Sequence, residues 1–151
     1  MFKKILVTLD GSALAERALE PAIRLAEKFG GAVILLRVVV PEEIVVAAPG
    51  VGPFAYTVQE TGVERGCEEA EAYLRAIKVQ WLGVNVPVRT TVLVGAPPEL
   101  ILDTAKAENV DLIVMSTHGR SGLNRLLYGS VAEAVLRGAH LPVLLIPFKA
   151  N

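Results

Sequence analysis

What the chain has little of narrows its role. A single cysteine, Cys67, among 151 residues excludes an internal disulfide and implies a reducing, cytoplasmic setting. One Cys and two His offer no zinc-ligand spacing, so no metal residues are assigned. Neither charge sign dominates: 15 basic residues face 16 acidic ones, and the basic stripe of a nucleic-acid binder is missing. No uncharged apolar run approaches the ~20 residues of a membrane helix, so no membrane role is expected. Met1-Phe2-Lys3-Lys4-Ile5 leads straight into a strand with no signal-peptide cleavage site. There is no internal repeat or low-complexity tract.

Catalytic signatures are equally scarce. No Gly-x-x-x-x-Gly-Lys-Ser/Thr loop occurs, which argues against a Walker-type NTPase. Gly119-Arg120-Ser121-Gly122 lacks the Gly-x-Ser-x-Gly spacing of a nucleophile elbow. The acid such a hydrolase needs between Ser121 and a later His is reduced to Glu133 before His140, and Glu133 fits a helix cap. No catalytic residue is assigned.

What is present is hydrophobicity, at 52% of the residues. A parallel sheet covered on both faces accounts for that, because its strands read as continuous apolar runs. Ile5–Leu9 is the first such strand. A helix is expected from about Ala13 to Phe29, with Leu14, Ala18, Ile23, Leu25 and Ala26 on its apolar stripe and Gly30-Gly31 as its stop. Ala32–Val40 is the second strand. Pro41, Pro49, Gly50, Gly52, Pro53 and Gly62 mark 41–62 as an irregular loop or lid. A second helix runs from about Val63 to Leu82. Val86–Val94 is a third strand, whose alternation against Arg89 and Thr91 suggests an edge with one wetter face. Pro97 or Pro98 opens a helix to about Glu108. Asp111–Ser116 is strand four, Ser130–Arg137 helix four with Gly138 as its stop, and Pro142–Ile146 strand five before Pro147.

This alternation predicts an α/β fold, a single-domain, doubly wound, five-stranded parallel sheet with helices on both faces. Ligands in such sheets bind beyond the carboxyl ends of the strands, where strand order reverses. Two post-strand turns carry the polar, glycine-rich chemistry there: Asp10-Gly11-Ser12, and Ser116-Thr117-His118-Gly119-Arg120-Ser121-Gly122 with Gly129-Ser130-Val131 after it. If strands one and four are neighbours, the turns share a crevice, and the helix opening at Ser130 offers unpaired N–H groups and a positive dipole end to a phosphate. Plainer readings stand beside these. Ser130-Val131-Ala132-Glu133 fits a capping box, Gly129 a positive-φ turn, Asp10-Gly11-Ser12 a common turn and cap, His118 a loop hydrogen-bonder, and Arg120 a solvated charge.

Read together, these residues resemble the universal stress protein family. Its nucleotide signature is Gly, two residues, Gly, nine residues, Gly, then Ser or Thr. Here Ser116 stands at the first glycine, followed by Gly119, the nine residues Arg120 to Tyr128, and Gly129-Ser130. The resemblance extends to Ile5–Ser12, the strand end at Val38-Val39, and Leu141–Pro147, so that 1–151 forms one universal stress protein domain apart from 41–62. It implies a Rossmann-like fold of the adenine nucleotide alpha hydrolase-like type and an ATP site, with or without Mg²⁺. Thr8 and Asp10 would lie near adenosine, and the backbone of Val38 would meet adenine. Gly119, Arg120, Ser121, Gly129, Ser130 and Val131 would surround the phosphates, with Met115, Ser116 and His118 completing the set. The resemblance further implies a homodimer through Pro142–Ile146, and at most slow ATP hydrolysis. Two functions follow: an ATP-dependent switch in stress response, or a nucleotide-independent stress or interaction protein.

Overall fold

The computed structural model describes residues 1–41, 43–48, 51–57, 60–117 and 129–148. Its centre is the strand β1 (Lys4–Thr8), whose Ile5, Leu6 and Val7 have no exposed surface. An all-parallel sheet forms around it with the order β5-β2-β1-β6-β7, where β2 is Ala32–Val39, β5 Val88–Val94, β6 Leu112–Thr117 and β7 Val143–Pro147. Ile5 pairs with Val33 on one side and Leu112 on the other. Strands one and four of the sequence reading (β1 and β6) are therefore neighbours, as that reading required.

Because side chains alternate along a strand, β1 feeds two cores. Ile5 and Val7 pack with Leu19, Ile23, Leu74 and Ile77 from α1 (Leu19–Phe29) and α2 (Glu60–Gln80). Leu6 packs on the opposite face with Ile101, Ala105 and Val135 from α3 (Pro97–Ala107) and α4 (Ser130–Gly138). Helices thus cover both faces, and crossovers run outward in opposite directions from the β1/β6 boundary.

The far end of the sheet is tied down by polar contacts. Lys3 Nζ donates to the carbonyl of Phe29 at 2.6 Å and Lys4 Nζ to that of Glu108 at 2.7 Å, so each cation sits at a negative helix terminus. The carboxylate of Asp111 accepts the backbone N–H groups of Lys3 and Lys4. Gly30 ends α1 at φ 60°, and a Cβ at Gly31 would lie 2.6 Å from the carbonyl oxygen of Phe2, so only glycine fits there.

Several boundaries differ from expectation for local reasons. The first helix opens as a 3-10 turn at Ala15–Ala18, and α1 begins at Leu19. Pro21 cannot donate to a carbonyl four residues back, and a start at Leu19 places it in the first turn, where that N–H has no partner anyway. The third strand begins at Val88 because Pro87 brings no N–H to the ladder, although its carbonyl accepts from Val33 N. β5 does occupy an edge, and β7 the other. The irregular segment expected over 41–62 is corrected: it carries an antiparallel hairpin of β3 (Glu43–Ala48) and β4 (Val51–Thr57), and α2 starts at Glu60. Of the Pro and Gly residues that suggested irregularity, Gly52 and Pro53 fall on β4 and Gly62 in α2, while Pro49 and Gly50 lie outside the described residues.

A large-to-small change in the double core should cost far more than one on the surface. Leu6→Ala should lower unfolding free energy by about 2–5 kcal/mol, while Leu82→Ala, at a site 70% exposed, should stay within about 0.5 kcal/mol; urea denaturation of both variants checks this.

Candidate functional site

β1 ends at Thr8, opposite Leu36, whereas β2 continues to Val39 and β6 to Thr117. The missing length of β1 leaves a cavity of about 400 Å³ at the carboxyl end of the sheet, within the size range of small-ligand sites. Its floor comes from Thr8, Leu9 and Asp10, and from Met115 and Ser116 at the end of β6. Leu36, Val38 and Val40 form one wall, Pro97 and Ile101 of α3 a second, and Gly129, Ser130, Val131 and Ala132 at the start of α4 the third.

The hydrogen bonding around this gap shows which backbone groups face it. The carbonyl of Leu36 accepts from Leu9 N at 2.9 Å, and that of Val39 from Gly95 N at 3.0 Å. Along a parallel strand, main-chain groups point alternately to the two neighbours. Leu36 therefore faces β1, Val39 faces the β5 side, and the N–H and C=O of Val38 face the side where β1 has already stopped.

Across the cavity, Gly129 caps α4 with φ −47° and ψ 155°. The positive φ expected for it is corrected: the backbone is one that any residue adopts. Among the described residues, a Cβ built there meets nothing within 4 Å. Glycine is a favoured N-cap, and the room it leaves opens beside the first-turn N–H groups of α4. The capping box is corrected too. Gly129, not Ser130, is the N-cap; no side chain caps the helix; and Glu133 pairs with Arg137 one turn on. An i, i+4 ion pair within the helix has outcompeted the reach back to the cap.

Asp10 organises the first turn. Its Oδ1 accepts from the backbone N–H of Ser12 at 2.9 Å and from its hydroxyl at 2.6 Å, while Ser12 Oγ accepts from Ala15 N at 3.1 Å. This Asx turn uses one carboxylate oxygen; Oδ2 has no hydrogen-bond partner among the described residues. Ser116, at the position of the signature's first glycine, donates its hydroxyl to the carbonyl of Ile146 on β7 at 3.3 Å.

Of the candidate residues, Thr8, Asp10, Val38, Met115, Ser116, Gly129, Ser130 and Val131 line one cavity. His118, Gly119, Arg120 and Ser121 lie outside the described residues. The α3 wall, Pro97 with Ile101, escaped the sequence reading. All strands of a parallel sheet end on one side, so the turn at Gly95-Ala96 after β5 had to open onto the same crevice; its Gly-Ala-Pro-Pro composition was the available signal. Among the described residues, no group of three His, Cys, Asp or Glu could hold a metal ion, and no helix is long and apolar enough to cross a membrane.

Behind the Asp10 turn, Tyr73 of α2 donates its hydroxyl to Glu16 Oε1 at 2.9 Å. Burial, then this hydrogen bond and the nearby Glu16 charge, push the phenol pKa upward, against a lowering by Arg37. The unfolded chain releases this proton near pH ~10 while the folded chain keeps it, so the folded state binds more protons above that pH. The contribution is full below pH ~10 and lost as pH rises further. Denaturation between about pH 9 and 11 should show the unsubstituted chain losing more stability than Tyr73→Phe.

The match to known proteins agrees with this geometry. The model of the Universal stress protein family covers residues 1–147, and the chain belongs to that family. A universal stress protein of Methanocaldococcus jannaschii is 36% identical over 146 residues, covering 97% of this chain and 82% of its own length. The solved structure of another protein of that organism has a TM-score of 0.71 at 31% identity, covering 100% of this chain and 99% of that one. A universal stress protein from Archaeoglobus fulgidus, solved in complex with dAMP, has a TM-score of 0.63 at 23% identity, covering 97% and 99%, and speaks to the fold alone.

Proposed function

We propose that this universal stress protein binds an adenine nucleotide in the cavity at the carboxyl end of the sheet and acts as an ATP-dependent switch in stress response. The observation that carries the reading is the pairing of two features across the cavity: main-chain groups of Val38 facing it, and the α4 N-terminus, capped by a glycine whose Cβ position is open among the described residues. An adenine edge needs one donor and one acceptor, which the Val38 backbone offers, and the apolar side chains of Leu36, Val38, Ile101 and Met115 suit a planar ring. Phosphates suit the α4 terminus, with His118, Gly119, Arg120 and Ser121 completing their surroundings.

Magnitudes distribute the work. A helix terminus contributes ~0.3–1 kcal/mol toward an anion, or ~2 when partly buried, whereas micromolar affinity needs ~8 kcal/mol. Base and ribose contacts must supply most of the total, and Asp10 Oδ2 is the acceptor placed for ribose hydroxyls. A Mg²⁺ ion would be held chiefly by the nucleotide's own phosphates, with Asp10 as the carboxylate lining the cavity. Occupancy is read out at the sheet edge, where a second copy pairs through Pro142–Ile146. One observation favours the nucleotide-independent reading instead: the Ser116 hydroxyl is engaged with β7 rather than facing a ligand.

Calorimetry and thermal unfolding with ATP, AMP and Mg²⁺ separate the two. A ligand at 100 times its Kd should add ~2.7 kcal/mol of stability, and no shift at millimolar nucleotide would refute the switch. Gly129→Val should fold with a loss of about 1 kcal/mol, the cost of a poorer N-cap, because its backbone is permitted and its Cβ meets nothing among the described residues. It should nonetheless weaken ATP binding about tenfold or more; unchanged affinity in that folded variant would refute the placement of the phosphates.

A further inference from the structure

The cavity residues do not account for Arg37, which lies on the opposite face of β2 from Val38. Its guanidinium sits over the Tyr73 ring, 4.9 Å from the centroid. The same guanidinium also lies against Gly11, at φ 90°, in the left-handed region. A Cβ at Gly11 would lie 3.1 Å from Cζ, 3.1 Å from one terminal nitrogen and 3.2 Å from the other. Three nearly equal distances mean that the guanidinium plane lies flat against the glycine. The cation thus contacts both an aromatic face and a main chain that only glycine suits.

We propose that Arg37 is a positioning residue of the nucleotide site, in contact with both Tyr73 and Gly11 so that the Asp10-Gly11-Ser12 turn keeps the shape in which Asp10 faces the cavity. The inference rests on the nucleotide reading above. Both ends of the turn are held from behind: Gly11 by the guanidinium, and Glu16, whose N–H donates to the carbonyl of Ser12, by the hydroxyl of Tyr73. The Asp10 carboxylate lies close enough to Tyr73 to push its phenol pKa upward, which places the whole cluster within one electrostatic neighbourhood. Asp10 and Gly11 are exposed and Ser12 half-buried, so among the described residues Arg37 is a principal contact of the turn.

The planar stack separates positioning from mere charge. Arg37→Lys keeps the cation but loses the plane, and Tyr73→Phe keeps the ring but loses the hydrogen bond. Nucleotide binding by calorimetry and the amide resonances of Gly11 and Ser12 by NMR are the paired readouts, with AMP and ATP as probes. Arg37→Lys and Tyr73→Leu should shift both amides and weaken AMP binding about tenfold, the worth of one good cation–π contact. Tyr73→Phe should retain affinity within about threefold. A purely structural contact would lower the melting temperature of Tyr73→Leu while leaving its AMP Kd and both resonances unchanged, and that result overturns the proposal. So does unaltered binding in Arg37→Lys, should Tyr73→Leu fail to fold. If the unsubstituted chain bound no nucleotide, the nucleotide reading alone would fail; the two resonances in Arg37→Lys would then decide whether Arg37 holds the turn.

Discussion

The central strand is shorter than both of its neighbours, and this mismatch makes room for a ligand. β1 must be fully apolar because helices close over both faces, yet Thr8 and Asp10 break that run just where β2 and β6 carry on. Backbone groups that a longer β1 would have paired are left facing a gap. A buried N–H or C=O without a partner is costly, so the gap favours any molecule with a matching donor and acceptor. The proposed nucleotide would meet apolar side chains at Ile101 of α3 and Met115 of β6, and unpaired N–H groups where α4 begins.

The turn after β1 connects the two sides of the sheet. Asp10 looks into the cavity, while Gly11 rests on Arg37, which belongs to the α1/α2 side. On the proposed role of Arg37, α2 and the ligand side are joined through two consecutive contacts, ring to planar cation and cation to left-handed glycine.

Much of this organisation was legible in the residues. The strands appeared as apolar runs, and the alternation of strand and helix fixed the doubly wound layout. The spacing from Ser116 to Gly129-Ser130 pointed to the β6–α4 side of the crevice. What escaped was governed by competition between local options or by distance along the chain. Ser130 to Glu133 had the spacing of a capping box, but Arg137 drew Glu133 away. Gly129 resembled a turn glycine, although its φ of −47° at the N-cap is visible only in the structure. The hairpin at 43–57 was concealed because its Pro and Gly residues signal loops, while cross-strand pairing between β3 and β4 is visible only in space. Arg37 and Tyr73 are far apart in the sequence and share no motif, so no periodicity could have joined them.

The opposite end of the sheet has its own meaning. There Lys3 and Lys4 bind the ends of α1 and α3, and Asp111 grips the backbone that leads into β1. Polar tethers gather at one end of the sheet and the cavity opens at the other, with the hydrophobic layers between them. A substitution that reshapes the cavity therefore leaves those tethers untouched.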